Sequence, residues 1–514
     1  MQDATAKRLT LLSICLGLFI IQLDLMVANL ALPSIQRDLG GGLAGQQWIM
    51  DAYTLVYASL LPSGGALGDR IGHKRVLIAG LVVFAAGSLV CGVAGSIGVL
   101  LAGRALQGIG AAVEIPATLA IVATTFPAGK ERARAMAAWA TVNGVSAAVG
   151  PTAGALMVEH LGWPSVFLLN LPVVALTLPL ALAAVRDAAD GPRRQVGVGS
   201  QLCFAVFLAA ATATAIEGAR LGWSSSPILI GGVIALLALI AFRRVDGRAA
   251  HPLIPGALLR GPGVVVALAV TAMMTFAMYG LLFMASLYFQ TVRGAAPFIA
   301  GLGLLPLSIA YIATAQVTGR LQQRVAERWL IAAGMAGMGA GMAGFALLAP
   351  ATSWPLLIAV FVVTGIGLGF NTAPAVGLAV KSAPQAQAGT ASGLVNTARM
   401  AGATLGVAVL GALLNRADGT GSGARLLSGM HAAAWLAAAV LVLGSVLAAI
   451  ALDPRRGDGP LSTVRRWRRR ASHVAELQRL DDQTLADMGL HRSGIRAAVI
   501  AAEGDGRFDH RRCR

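Results

Sequence analysis

Fourteen apolar runs, each about long enough to cross a bilayer, leave this chain very few ways to fold. A hydrocarbon core about 30 Å thick takes roughly 20 helical residues. Such runs fall near 9–32, 47–67, 76–97, 99–123, 134–157, 164–185, 200–219, 227–243, 262–290, 297–318, 329–348, 353–379, 391–414 and 428–452. In lipid every backbone N–H and C=O needs an internal partner, and runs of this length meet that demand as helices. Charged residues are only 12% of the chain, against roughly 25% in soluble domains. The 63 glycines suit helices that pack closely through small faces. The expectation is an all-α integral membrane protein.

Charge orients the bundle. If the N-terminus is cytoplasmic, the loops on its side and the N-terminal segment hold 19 Lys and Arg, and the opposite loops hold 5 (Arg37, Arg220, Arg293, Arg416, Arg425). This positive-inside asymmetry predicts a multi-pass protein of the inner (cytoplasmic) membrane with both termini cytoplasmic. The first run holds an acid and is too long for the apolar region of a signal peptide, so no cleavable signal is expected. Four cysteines lie far apart, and all seven histidines fall in loops, at helix ends or in the tail. No disulfide, metal site, cofactor or intramembrane enzyme is expected, and a monomer is.

Asp24 sits inside the first run, in Leu23–Pro33, with Asn29 five residues on. A carboxylate at that depth costs several kcal/mol as an ion, so it marks a functional site. Four more polar residues follow: Asp51 in the second run, Arg104 and Glu114 in the fourth, and Glu217 near the outer end of the seventh. At 1.5 Å per residue, Asp24 lies about 22 Å from the inner end of its helix, and Arg104 about 8 Å from the outer end of an antiparallel one. The two fall in one layer of a 30 Å core, making Asp24 the best acceptor for Arg104. The pair reads as a static structural bridge or as a site where proton and substrate compete. Arg104, Gln107, Ala111 and Glu114 share one helix face, which must look into protein or water. Glu114 reads equally as a second proton or cation site and as a hydrogen-bonding strut.

The segment Gly65–Arg75, GALGDRIGHKR, crowds Asp69, Arg70, Lys74 and Arg75 into a tight turn that includes Gly72. In the fifth run, Gly150 and Gly154 permit close backbone packing, and Pro151 bends the helix. A bent, closely packed helix is a pivot or seal.

Together these residues resemble the major facilitator superfamily, specifically its fourteen-helix drug:proton antiporters, over about 9–452. Leu23–Pro33 is similar to the first-helix signature of that group, with Met26 where Thr is usual. Gly65–Arg75 resembles the loop motif G-x-L-x-D-R-x-G-R-K-x, with His73 replacing Arg. Arg104–Pro116 resembles R-x-x-Q-G-x-G-A-A-x-x-x-P, linked in the family to proton coupling. Gly150, Pro151 and Gly154 match the antiporter motif. Trp48–Tyr53 looks like pumps for quaternary ammonium and other lipophilic cations, where the Asp is characteristic. Pro164 in Gly162–Pro172 departs from the family, which often has Arg there. Between Gly247 and Leu452 the only acids are Glu327 and Asp418, which argues against dication transport.

The resemblance implies two six-helix bundles, 1–190 and 251–453, around a two-helix hairpin, 191–250. It implies proton coupling and substrate binding at Asp24, Asn29, Asp51, Arg104, Gln107 and Glu114. Conformational switching would fall to Gly65, Asp69, Arg70, Gly72, Lys74 and Arg75. Gly365–Pro374, GIGLGFNTAP, faintly echoes Gly108–Pro116, GIGAAVEIP, as an internal repeat would. Arg399 has no nearby acid in sequence and has a substrate, a carbonyl or lipid headgroups as candidate partners. The tail, 454–514, carries 14 Arg and suggests two short helices. It resembles a short Arg-rich domain of unknown function and reads as a basic segment on anionic lipid, with RNA or protein binding as alternatives. The implied function is export of amphiphilic, cationic small molecules in exchange for protons. Rival readings are a dedicated exporter of one metabolite or antibiotic, and a membrane sensor or scaffold presenting the tail.

Overall fold

The computed structural model describes residues 2–127, 129–186, 197–249, 252–256, 258–259, 261–384, 387–414 and 423–452. The Arg-rich tail lies outside the described residues. Among the described residues, fifteen α-helices occur in order: α1 Gln2–Leu39, α2 Gly42–Ile71, α3 His73–Gly92, α4 Ile97–Thr125, α5 Lys130–Leu161, α6 Pro164–Leu168, α7 Asn170–Ala184, α8 Val198–Leu221, α9 Ser226–Arg248, α10 Pro262–Leu287, α11 Pro297–Leu321, α12 Glu327–Phe345, α13 Trp354–Ser382, α14 Ala388–Leu414 and α15 Gly423–Ala451. With α6 and α7 read as one span, each of the fourteen runs corresponds to a helix. Eleven spans among the described residues are long and apolar enough to cross a membrane by composition as well as length. The other three are α2, with Gln46, Gln47 and Asp51 inside it, α5, with charged ends, and the glycine-rich α12.

The sixth run is a broken helix rather than the continuous one its apolarity suggests. Pro172 has no N–H to offer the carbonyl of Leu168, four residues back, and the ladder is interrupted between α6 and α7. That break sets Asn170 at the head of α7, where its side chain joins the site described below. Between α1 and α2, Gly40, Gly41 and Gly42 all adopt left-handed φ, of 75°, 86° and 59°. A side chain at Gly41 would also strike Ile97, so the sharp return of the chain depends on glycine there.

Helices α1–α7 pack chiefly on one another, through α2 with α4, α3 with α4, α1 with α5 and α1 with α7. Helices α10–α14 do the same, through α10 with α14, α11 with α13 and α12 with α13, and α15 meets α12 where Ser445 donates to the Ala332 carbonyl at 2.8 Å. The two groups meet along α2 with α14 and α5 with α11. The hairpin α8–α9 docks by α8 in the groove between α2 and α14. Polar groups fix it there: Gln201 donates to the Ser59 carbonyl at 2.5 Å, and Trp48 donates to Glu217 at 3.0 Å. Glu217 also pairs with Arg220 at 2.7 Å, so it works as a strut between α8 and α2.

The faint repeat in sequence is a repeat in packing. A Cβ on Gly108 would lie 2.7 Å from the Tyr53 carbonyl of α2, and one on Gly110 would lie 2.7 Å from the Gly80 carbonyl of α3. In the second group, Gly365 and Gly367 stand in the same relation to the Leu307 carbonyl of α11 and the Gly334 carbonyl of α12, each well inside van der Waals contact. One Gly-Ile-Gly step thus lets α4, and again α13, sit between two neighbours at backbone contact. Four residues beyond each step the two halves differ. Glu114 stands in the first, and in the second Asn371 bonds back to the Gly367 carbonyl at 3.0 Å.

Candidate functional site

Asp24 on α1 is wrapped by donors from α4 and α7. Arg104 Nη1 bonds its Oδ2, while Gln107 Nε2 and Asn170 Nδ2 reach its Oδ1 at 3.0 and 3.1 Å. Arg104 Nε also donates to the Ile49 carbonyl at 3.0 Å and Nη1 to Gln107 Oε1 at 2.8 Å, while its buried Nη2 has no hydrogen-bond partner among the described residues. Its guanidinium lies over the Tyr53 ring, 4.5 Å from the centroid, and within 5.8 Å of the Phe167 ring. Ser88 of α3 closes the network, accepting from Gln107 at 2.8 Å and from Asn170 at 3.0 Å. Asp24 is 2% exposed and Arg104 is wholly buried. Charge opposite charge, with every carboxylate oxygen bonded, is the arrangement that makes an ion pair tolerable away from water.

The depth match between Asp24 and Arg104 is therefore realised as an ion pair, and the Arg104–Gln107–Glu114 face is buried as its polarity demands. Asn170, Ser88 and Tyr53 are members of the network that sequence reasoning missed. An Asn inside the apolar stretch LLNLP was the available signal for Asn170.

The other anticipated residues sit elsewhere. Asn29 bonds the Leu25 carbonyl of its own helix at 3.1 Å, and its backbone carbonyl accepts from Ser286 of α10 at 2.7 Å. It belongs to the seam between the halves, not to the Asp24 cluster. Asp51 accepts from Thr54 at 3.3 Å, and Thr54 is bonded by Thr404 of α14 at 2.9 Å, so it too lies at a seam. Glu114 is buried between α1 and α3 against Gly17 and Gly80, and neither carboxyl oxygen has a partner. The strut reading of Glu114 therefore lacks the hydrogen bond it required.

Cavities lined by described residues separate the helix groups, and two of them concern the site. The larger, about 790 Å³, opens at the end of the bundle that carries the α2–α3 turn, where Gly65, Asp69 and His73 face Gly389, Ser392 and Asn396 of α14. Within the turn, Asp69 lies 3.4 Å from His73 and Lys74 donates to the Leu182 carbonyl at 2.7 Å. Gly72 turns the corner at φ 98°. The smaller cavity, about 90 Å³, lies deeper, with Gln22 and Met26 of α1 facing α10, α11 and Arg399 of α14.

At the opposite end the halves are bonded together. Gln290 donates to the Leu30 carbonyl at 3.1 Å, Phe298 N to Glu159 at 3.1 Å, and Gln47 to the Val407 and Ala408 carbonyls at 3.2 and 3.0 Å. Gly150 and Gly154 seat α5 on Met26 and Val27 of α1, and the Pro151 carbonyl meets Gly301 of α11. The structure is thus open at the α2–α3 end and closed at the other.

Gln22 and Met26 flank Asp24 by two residues, which at 100° per residue puts them on the far side of α1. Asp24 is not on the wall of either cavity. Direct competition of substrate and proton for this carboxylate does not fit the geometry, because the cavity and the ion pair occupy opposite faces of one helix.

The major facilitator superfamily model matches residues 14–407 and 307–486. The chain is 35% identical over 406 residues to the multidrug resistance protein Stp of Mycobacterium tuberculosis, covering 79% of this chain and 75% of that one. It is 34% identical over 410 residues to a methylenomycin A resistance protein of Streptomyces coelicolor, covering 80% and 86%. Among solved structures it resembles a peptide transporter, POT, with TM-score 0.62 at 17% identity over 86% of this chain and 95% of that one. It also resembles a bacterial homologue of the lysosomal transporter Spinster in an inward-facing, occupied state, with TM-score 0.57 at 17% identity over 86% and 96%. At such identities the structural likeness speaks for the fold alone.

Proposed function

The chain belongs to the major facilitator superfamily, and we propose that it exports amphiphilic small molecules of drug or antibiotic type across the cytoplasmic membrane in exchange for protons. The curated relatives are resistance and efflux proteins, which supports export as the direction. The excess of Lys and Arg supports reading the α2–α3 end and both termini as cytoplasmic. On that assignment the larger cavity is the cytoplasmic entrance. The basic tail is read as a binder of anionic lipid.

One observation carries the coupling: α1 presents Asp24 to a buried ion pair on one face and Gln22 and Met26 to the central cavity on the other. A proton on Asp24 neutralises it and leaves Arg104 buried with only carbonyls, an amide and aromatic faces around it. An uncompensated buried guanidinium is expensive, so protonation favours an arrangement of α1 against α4 in which Arg104 finds another acceptor. Substrate in the cavity pushes on the same helix from the other side. Coupling runs through movement of α1 rather than through contact. The α2–α3 turn, at the open end, serves the switch between states.

Cation selectivity, which Trp48–Tyr53 suggested, has Asp51 as its acid, yet Asp51 is turned to the α2–α14 seam. The proposal therefore specifies amphiphiles and leaves their charge to the cavity itself. The test is drug-driven proton release from purified protein in proteoliposomes, alongside a toxicity panel in an efflux-deficient host. Resistance without proton exchange would overturn the coupling, and neither resistance nor exchange would overturn export.

A further inference from the structure

The cavity between the halves has an electrostatic character that the family motifs do not announce. Its wall is apolar and soft, with Met26, Met274, Met278, Tyr279 and Leu307 around it. Arg399 is the one charged side chain on that wall. It stands about 16 Å along α14 from the helix start, near the middle of a 30 Å core. Its Nε is buried and has no hydrogen-bond partner. Among the described residues no carboxylate lies within ion-pair distance of it: Asp24 is held by Arg104 and Glu327 by Lys381, and the buried Asp51 and Glu114 form no ion pair with it and do not line this cavity. Neutral polar groups surround it: the phenols of Tyr57, within hydrogen-bonding reach, and Tyr279, with Thr275 and Thr372 on the same wall.

A guanidinium at the membrane midplane with no acid beside it is a costly feature unless something else supplies the acceptor. We infer that the central cavity binds amphiphiles that carry a carboxylate or equivalent oxyanion, taken by Arg399, with their apolar body against the methionines. Guanidinium presents paired donors that match a carboxylate, and thioether side chains adapt to varied apolar shapes. A cationic headgroup meets repulsion from Arg399 at this spot and finds no acid on the wall. Asn396 and Thr397, just before Arg399 on α14, line the larger cavity, which gives such a molecule its route inward from the open end. This inference rests on the export reading and names its substrate class.

The direction of charge movement agrees. Sending an anion outward while a proton enters carries two charges down an inside-negative potential, whereas exchanging a monovalent cation for one proton carries none. A matched pair of fluorescent probes separates the classes: one aromatic body and linker, ending in a carboxylate or in a trimethylammonium group. With the full chain in nanodiscs, the carboxylate probe is expected to bind more tightly. Arg399→Gln should weaken it about ten- to hundredfold, the span for a charged hydrogen bond, and Arg399→Lys should restore part of the loss. Binding of the ammonium probe should not fall in Arg399→Gln, which also shows that the variant is folded. In proteoliposomes, an inside-negative potential should speed export of the carboxylate probe. Tighter binding of the ammonium probe overturns the inference, as does carboxylate binding that stays within twofold in Arg399→Gln, or no binding of either probe. Export itself is judged separately by the toxicity panel, so it can stand if this inference falls.

Discussion

Breaking the Asp24–Arg104 pair should cost more than its repair by a second break. In wild type, both side chains are essentially buried, and Asp24 takes three hydrogen bonds from Arg104, Gln107 and Asn170. Asp24→Asn keeps the shape but removes the charge. Arg104 then retains the Ile49 carbonyl, Gln107 and the Tyr53 ring, none of which neutralises it. Losing one partner of a buried pair costs about 3–5 kcal/mol, and that is the expected loss for Asp24→Asn. Arg104→Gln leaves Asp24 with two amide donors and should cost less, because the acid can take up a proton. The double variant has no orphaned charge, so the two costs should fall short of adding by about 2–3 kcal/mol, the upper part of the range for residues in contact. Reversible unfolding in mixed micelles, followed by tryptophan fluorescence, measures the cycle. Export measured on the same proteins separates fold from coupling: the double variant should regain stability yet stay inactive in proton-driven export. Additivity within about 0.5 kcal/mol, or an Asp24→Asn protein as stable as wild type, would refute the reasoning.

Glu114→Gln should hold or raise stability, since neither carboxyl oxygen has a partner to lose and a neutral amide is cheaper to bury than a charge; a loss above about 2 kcal/mol in the same unfolding assay would show a missing partner. Gly365→Ala places a methyl against the Leu307 carbonyl, well inside van der Waals contact, and should cost about 1–3 kcal/mol. Gly232→Ala, with nothing within 4 Å, should be neutral or stabilising by up to about 1 kcal/mol. Asp69→Asn, at the mouth of the larger cavity, should slow export while substrate affinity in nanodiscs stays within a few-fold; lost affinity with conformational exchange intact would place the residue in binding instead. A chain ending at Pro460 should still insert and export, and a peptide of Arg465–Arg470 should bind anionic vesicles less tightly as salt rises, because exposed charges are screened within about 8 Å at physiological strength. Abolished export at equal membrane levels would make the tail a gate.

Axial position was legible in this sequence and azimuth was not. A helix rises a fixed 1.5 Å per residue, so counting from the ends of two apolar runs brought Asp24 and Arg104 into one layer. The same counting could not say which way α1 turns Asp24, because α1 is apolar on nearly every side and shows no polar stripe to set its phase. Phase decides the mechanism here. One orientation puts the carboxylate in the substrate's path; the observed one puts Gln22 and Met26 there and Asp24 behind them. The break at Pro172 was hidden for a related reason. The apolar run continues through it, and only the missing N–H interrupts the ladder beside Asn170. Arg399 was visible as an intramembrane cation, but its setting was not, since the residues that surround it come from α1, α2, α10, α11 and α13. The repeated Gly-Ile-Gly step ties these placements together. The two halves share a packing scheme around α4 and α13, yet their charges are divided: the acid–base pair lies wholly in the first half, and the cavity's one cation comes from the second. A proton acting on Asp24 and an oxyanion acting on Arg399 would therefore pull on different halves across a common seam, which is the arrangement in which each can bias the rocking of one half against the other without ever touching the other's site.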